Sequence, residues 1–450
     1  AGARRTGSRR LRHHQSTHGS VGGLVSDVLL ARPSSLSSSV YPRPHHSSGP
    51  TAALVGALCV PFDSVAQDFM LSHRTFLPHA GEGGTGVVGC PGELDSLRLR
   101  QELQRLANPT TCLLGGQLAT DNVGYGFGSV VNGFIKPYMY AVDHGLSLWS
   151  PPLGPYKDSL RRRCRSDSFS CFLTPLSRCE TSEHLQGLSD DRRDTCQSGD
   201  PIVPLRGCIQ RVICENRTLR SYSIMHMKTD AQGRPLSVPE EWRRRGLFWY
   251  VSHLLGFLLD RPNEQLLRKL EAEKARMGWH SASRPILSMH VRRGDSCNPD
   301  QEKEKARRCE DLAAYMEHAQ PLLDKYHIKS VFLATDDQQV IRDTKLFPGV
   351  QWMYIQEEER GKVKQTKWEH NLRHGGMDNY FEAERALMDL FLLAEGDAFV
   401  GKFTSNLDRI AYSLLAYRQG GLAPFLSIDS YWCHDWSRKT GVSIYGDFYC

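Results

Sequence analysis

Three short apolar runs, each closed by a polar cluster and separated by helical stretches, constrain this chain more than any other feature. Pro285 to Val291 leads into Arg292-Arg293-Gly294-Asp295, Ser330 to Ala334 into Thr335-Asp336-Asp337, and Ala398 to Gly401 into Lys402-Phe403-Thr404-Ser405-Asn406. Between them, Asp311 to Tyr326 and Tyr380 to Glu395 have helical spacing. Strands alternating with helices predict a parallel sheet covered on both faces, with ligands held beyond the carboxyl ends of the strands. All three polar clusters then fall on that one edge.

Upstream the pattern changes. Glu93 to Leu106 reads as a helix with a leucine repeat, stopped by Asn108-Pro109. Gly124-Tyr125-Gly126-Phe127-Gly128-Ser129 precedes a helical stretch from Val130 to His144 and a short strand at Leu146 to Trp149. A glycine-rich turn feeding a helix either offers backbone amides to an anion or serves close packing, and the residues leave both open. Trp242 to Leu259 and Asn263 to Met277 read as two helices parted by Arg261-Pro262.

The chain has 450 residues, enough for two or three domains, and a formal charge of +6. Residues 1 to 50 hold seven Arg, no Lys and only Asp27, so they alone account for that charge. The rest is balanced, which argues against a broad basic surface for nucleic acid. The first 86 residues are rich in Ser, His, Gly, Pro and Arg and are expected to be disordered. Their longest apolar run, Ala52 to Val60, is nine residues, against about 20 for a membrane-spanning helix. Because the first residue is Ala, a signal or anchor lost upstream of this chain and a transit-like role for the Arg/Ser-rich start are both left open.

Of thirteen cysteines, six lie within 51 residues: Cys164, Cys171, Cys179, Cys196, Cys208 and Cys214. None has the C-x-x-C spacing of a zinc site, and Asn216-Arg217-Thr218 is a glycosylation sequon. Disulfides and a secretory-pathway location are the expectation.

Alternation along the strand at His290 sends His290 and Arg292 to one face and Arg293 to the other, before Gly294 permits a turn. A guanidinium stays charged and presents a planar fork to phosphate oxygens, so it neutralises a leaving diphosphate without a metal. Asp336-Asp337 suits either a divalent metal or, the reading preferred here, a helix cap that also orients the arginines. Asp389 interrupts an apolar helical run; it either satisfies a buried group or accepts from guanine N–H groups. Thr404 and Ser405 offer hydroxyls to phosphate, with a helix cap as the alternative.

Ile286 to Asp295, Phe332 to Asp337 and Asp389 to Arg409 together resemble the three peptide motifs of the α-1,6-fucosyltransferase family, which shares its donor-site pattern with nodulation and protein O-fucosyltransferases. Similarity extends through Gly124 to Trp149, Trp249 to Leu270 and Tyr315-Met316. The resemblance implies a GT-B-like α/β architecture, GDP-β-L-fucose as donor, inversion at the anomeric carbon and no required metal. It implies Arg292 on the β-phosphate, His290 and Asp389 on the nucleoside, Ser405 on a phosphate, Asp336 and Asp337 ordering the arginines, and Tyr315 on the acceptor side. Asp300, five residues beyond the motif aspartate Asp295, takes the position of the catalytic base, and Arg292 and Asp295 complete the catalytic set.

Three departures stand out. The family has Glu where Asp300 stands and Lys where Ser296 stands, and Cys297 with Cys309 introduces a loop-closing disulfide. Animal members also continue into an SH3-like domain, which is not expected within the 33 residues after Tyr417. The expected organisation is a disordered tail (1–86), a stem or lead-in helix (87–115), an acceptor-side α/β domain (116–284), a Rossmann-like GDP-fucose-binding domain (285–430) and an aromatic tail (431–450). Expected partners are GDP-fucose and a glycan or glycoprotein acceptor, without nucleic acid, and a homodimer is the candidate assembly. The expected activity is α-1,6 transfer to an N-glycan core in the Golgi lumen, with protein O-fucosylation or GDP-sugar binding without turnover as alternatives.

Overall fold

Ile286 to Val291 is buried at every position, as a strand in the middle of a parallel sheet must be. The computed structural model describes residues 74–77, 93–109, 126–143, 238–297, 309–356 and 378–432, with 145, 148, 150, 151, 153–158, 160, 162–166 and 168–177. The elements used below are, in chain order, β1 (Thr75–Phe76), α1 (Glu93–Ala107), α2 (Phe127–Asp143), α3 (Gly246–Leu259), α4 (Glu264–Met277), β2 (Ile286–Val291), α5 (Leu312–Lys325), β3 (Ser330–Thr335), α6 (Gln338–Asp343), β4 (Gln351–Met353), α7 (Asn379–Leu393), β5 (Ala398–Gly401), α8 (Asn406–Gln419) and β6 (Phe425–Ser427).

The helices begin and end where side chains satisfy their free backbone groups. Asn263 caps α4 by accepting from the Leu266 N–H at 2.9 Å, and Gly278 ends it in a left-handed conformation (φ 74°). Asp311 and Asp378 cap α5 and α7 in the same way. The helix expected from Trp242 instead divides at Arg244-Arg245. Gly246 takes φ 80°, so a one-turn helix at Glu240–Arg243 stops before α3 starts.

The six strands lie in the order β1-β6-β5-β2-β3-β4, parallel except for β1 against β6. Counting the parallel strands along the chain, the order is 3-2-1-4-5, the doubly wound arrangement. Its switch point lies between β2 and β5, where connections leave in opposite directions and a crevice opens at the carboxyl edge. The α/β class with a Rossmann-like C-terminal half is therefore borne out, and the three strands read from the sequence are β2, β3 and β5. β4, β6 and β1 were not read. Thr75 and Phe76 lie in the segment expected to be disordered, yet Phe76 packs on Phe425 (ring centroids 6.2 Å) and the Arg74 carbonyl accepts from the Ser427 N–H at 2.7 Å.

Alternation along the strands divides two apolar layers. Leu287, Met289 and Val291 face α5, while Ile286, Phe332 and Phe399 share a layer with α3, α7 and α8. The upstream helices join the second layer. Phe248 of α3 stacks on Tyr412 of α8 with centroids 5.6 Å apart, and Asn406 Nδ2 donates to Ser129 Oγ at 2.7 Å. A Cβ on Gly128 would lie 2.7 Å from the Leu407 backbone nitrogen, so this glycine serves the close approach of α2 to α8. Gly124, Tyr125, Leu146, Ser147 and Trp149 lie outside the described residues. From 126 to 284 the described residues form helices, turns and one isolated bridge, Leu173 to Pro262. Among the described residues no helix is long and apolar enough to cross a membrane.

Candidate functional site

The residues directly after β2 and β3 and the turn after β5 lie at the carboxyl edge beside the switch point. Arg292 Nη1 donates to Asp336 Oδ2, and the Arg293 N–H donates to Asp336 Oδ1 at 2.9 Å. Arg293 turns to the opposite face, as alternation required: its Nε donates to Asp337 Oδ2 at 3.1 Å and its Nη1 to the Glu310 carbonyl at 3.3 Å. Asp337 also caps α6, accepting from the Gln339 N–H at 2.8 Å. Of the two roles open to Asp336-Asp337, these bonds form the cap and the arginine support. About a third of the Arg292 side chain, 32%, remains exposed.

Gly294 makes this geometry accessible. Its φ is +30°, and a Cβ there would fall on the Asp336 carboxylate and lie 3.4 Å from Arg292 Nη1. Any side chain at 294 displaces the support of the arginine. Asp295 and Ser296 side chains, and the whole of Asp300, lie outside the described residues. Cys297 and Cys309 are disulfide-bonded with Cα atoms 5.3 Å apart, as expected, and Cys164 pairs with Cys171.

His290 faces α8, where its Nδ1 meets Asp408 Oδ1, and the other oxygen of Asp408 accepts from the Lys402 N–H at 2.6 Å. Burial pushes the imidazole pKa down, but the Asp408 carboxylate, with Asp336 behind it, outweighs burial and the opposing Arg292 charge, so the pKa is raised above 6.5. Lys402 Nζ turns to the other face and pairs with Glu310.

Thr404 and Ser405 begin the turn into α8. Thr404 Oγ1 donates to Asp429 Oδ2, and burial raises the Asp429 pKa against the pull of Thr404 and Lys402. Ser405 stands at the cap position, but its side chain makes no capping bond. Tyr315 is fully buried beneath the edge, with Lys402 Nζ 5.7 Å from its ring centroid. Asp389 sits roughly three turns into α7 and is 9% exposed.

The structure thus joins Arg292, Arg293, Asp336 and Asp337 by direct bonds, with His290 held nearby by Asp408 and Thr404 and Ser405 on the turn after β5. Asp408, Glu310, Lys402 and Asp429 had no role assigned from the sequence. Asp408 left no distinct signal, since Asn406 and Arg409 flank it in the same polar first turn of α8. Among the described residues no group of three or more His, Cys, Asp or Glu is placed to hold a metal.

Residues 234–431 match the family model for the N-terminal and catalytic domains of alpha-(1,6)-fucosyltransferases. An alpha-(1,6)-fucosyltransferase of Drosophila melanogaster is 26% identical over 195 residues, covering 40% of this chain and 28% of that protein, so the chain spans under a third of this relative. Among solved structures, the chain is similar to fucosyltransferase NodZ from Bradyrhizobium (18% identity, 64% of this chain, 89% of that chain, TM-score 0.37). It is also similar to POFUT1 in complex with GDP-fucose (12% identity, 40% of this chain, 49% of that chain, TM-score 0.27). The resemblance to the α-1,6-fucosyltransferases is borne out over residues 234–431, the part of the chain that contains the entire edge cluster.

Proposed function

We propose that this chain is an inverting fucosyltransferase that moves fucose from GDP-β-L-fucose to a GlcNAc-containing glycan, in α-1,6 linkage to an N-glycan core. The observation that carries the reading is the arginine pair held by Asp336 and Asp337 at the switch point, inside the segment that matches the family model. Arg292 takes the β-phosphate and offsets the charge that gathers on GDP as the glycosidic bond breaks. Ser405, free of capping duty, adds a hydroxyl to a phosphate beside the N-terminus of α8, with Thr404 next to it. His290 and Asp389 take the nucleoside. Asp300 accepts the proton of the acceptor hydroxyl, whose oxygen attacks the anomeric carbon from the face opposite GDP; GDP leaves with the bonding electron pair. Asp295 completes the catalytic set, and Tyr315 belongs to the acceptor side, where its buried ring supports the wall.

No metal is required in this reading. The carboxylates best placed to bind one, Asp336 and Asp337, are engaged by both arginines and by α6. Two described disulfides support a secretory-pathway lumen, the Golgi in this proposal. Residues 116–284 form the acceptor side of a GT-B-like pair of domains, and 285–430 the donor side.

The test is transfer: the chain, GDP-fucose and a GlcNAc-terminated N-glycopeptide are incubated with EDTA and the products analysed by mass spectrometry and linkage analysis. One added deoxyhexose in α-1,6 linkage on the core GlcNAc supports the proposal. Deoxyhexose on a Ser or Thr hydroxyl of a folded acceptor protein instead identifies protein O-fucosylation, and GDP-fucose binding without transfer to either identifies a binding protein.

A further inference from the structure

Asp408 is wholly buried, in the first turn of α8, and a carboxylate so enclosed is costly unless its oxygens are matched. It is not the cap of that helix, which is Ser405. Instead its two oxygens reach the two strands that flank the switch point: Oδ1 to His290 Nδ1 on β2, and Oδ2 to the Lys402 N–H directly after β5. The imidazole is itself almost enclosed, with 5% of its side chain exposed, and the bond at Nδ1 fixes both the plane of the ring and the place of one proton. Nε2 has no described partner. His290 lies two residues before Arg292, the first residue after β2, and the Arg292 and Asp336 charges both act on its ring, so the imidazole stands beside the guanidinium at the carboxyl edge.

We infer that Asp408 is a positioning residue for the donor: it holds His290 as a cation whose Nε2–H is presented to an oxygen of the bound nucleotide. This rests on the GDP-sugar reading above. The charged groups around the ring are Asp408 from α8, Asp336 directly after β3 and Arg292 directly after β2, while the Lys402 ammonium on the opposite face is paired with Glu310. Of these only Asp408 bonds to the imidazole, so removing its charge should weaken the hold on the second proton more than any other single change.

The experiment is calorimetric titration of GDP into the full chain and into Asp408→Asn between pH 5.5 and 8.5, with melting temperatures recorded at each pH. The parent chain should hold its affinity through neutral pH and lose it on the alkaline side. In Asp408→Asn, affinity at pH 7.5 should fall about tenfold or more, because a charge-assisted bond becomes a neutral one or is lost, and should recover as the solution is acidified. An Asp408→Asn chain with parental affinity and an unshifted profile overturns the inference while leaving the donor reading intact. Failure of the parent chain to bind GDP overturns the donor reading and this inference with it. Should Asp408→Asn not fold, nitrogen-15 spectra of the histidine rings in the parent chain decide: one buried ring protonated at both nitrogens at pH 7 supports the inference, and a neutral His290 refutes it.

Discussion

Replacing Asp336 with Ala removes the acceptor of two bonds while leaving Arg292, the group assigned to the β-phosphate, in place. The lost bonds are those from Arg292 Nη1 and from the Arg293 N–H. A buried hydrogen bond to a charged group contributes about 1.5–3 kcal/mol. Here Arg292 and Asp336 are 32% and 27% exposed, so screening brings the value toward about 1 kcal/mol per bond, or about 2 kcal/mol in all. If that energy serves mainly to aim the guanidinium at phosphate, it appears as weaker nucleotide binding of about thirtyfold, since about 1.4 kcal/mol corresponds to a factor of ten. The assay is calorimetric titration of GDP, with the melting temperature measured in parallel; the fold should lose only a few degrees. Asp336→Asn, which keeps an acceptor for Arg293 but not the charge, should fall between parent and Ala. An Asp336→Ala chain that binds GDP as tightly as the parent refutes the view that this carboxylate orients the site.

Gly294→Ala should weaken GDP binding at least as much as Asp336→Ala, because the new methyl group meets the same carboxylate at φ +30°, with a strain of about 1–3 kcal/mol visible by calorimetry and melting temperature. Gly128→Ala should destabilise the chain by about 1–3 kcal/mol in urea unfolding, since its Cβ would sit 2.7 Å from the Leu407 nitrogen at the junction of α2 with α8. Asp95 anchors α1: burial raises its pKa, but Arg245 and Arg244 overcome that and hold it below 3.8. A depressed carboxyl pKa gives stability that is present above the unfolded value and lost as pH falls through the folded one. The gap in melting temperature between the parent and Asp95→Asn should therefore persist from pH 8 to about 4 and close below that.

The sheet edge was legible in the sequence because each of β2, β3 and β5 is a run of apolar residues that stops abruptly in charge, and the helices between them carry long repeats. β4 and β6, three residues each, and β1, two residues, are too short for any periodicity to register; their strand identity comes from the partner they pair with. The site divides in the same way. Arg292, Arg293, Asp336 and Asp337 stood out because they close strands. Asp408 lies 118 residues from His290, so nothing local marks their pairing. Glu310 and Lys402 are 92 residues apart and meet only because α5 packs beside the end of β5. The glycine-rich turn before α2 left two readings open, and Gly128 decides for close packing at its own position only after the helix it touches is in place.

The central claim is that the crevice between β2 and β5 is a guanine-nucleotide sugar site organised by Arg292. Its most direct test is calorimetric titration of GDP, GDP-fucose and UDP-GlcNAc, each with EDTA present, into the full chain and into Arg292→Ala. The account predicts that GDP and GDP-fucose bind, that UDP-GlcNAc does not, and that Arg292→Ala loses the binding while retaining its fold. Binding of UDP-GlcNAc in place of GDP, or no binding of any of the three by the parent chain, contradicts it.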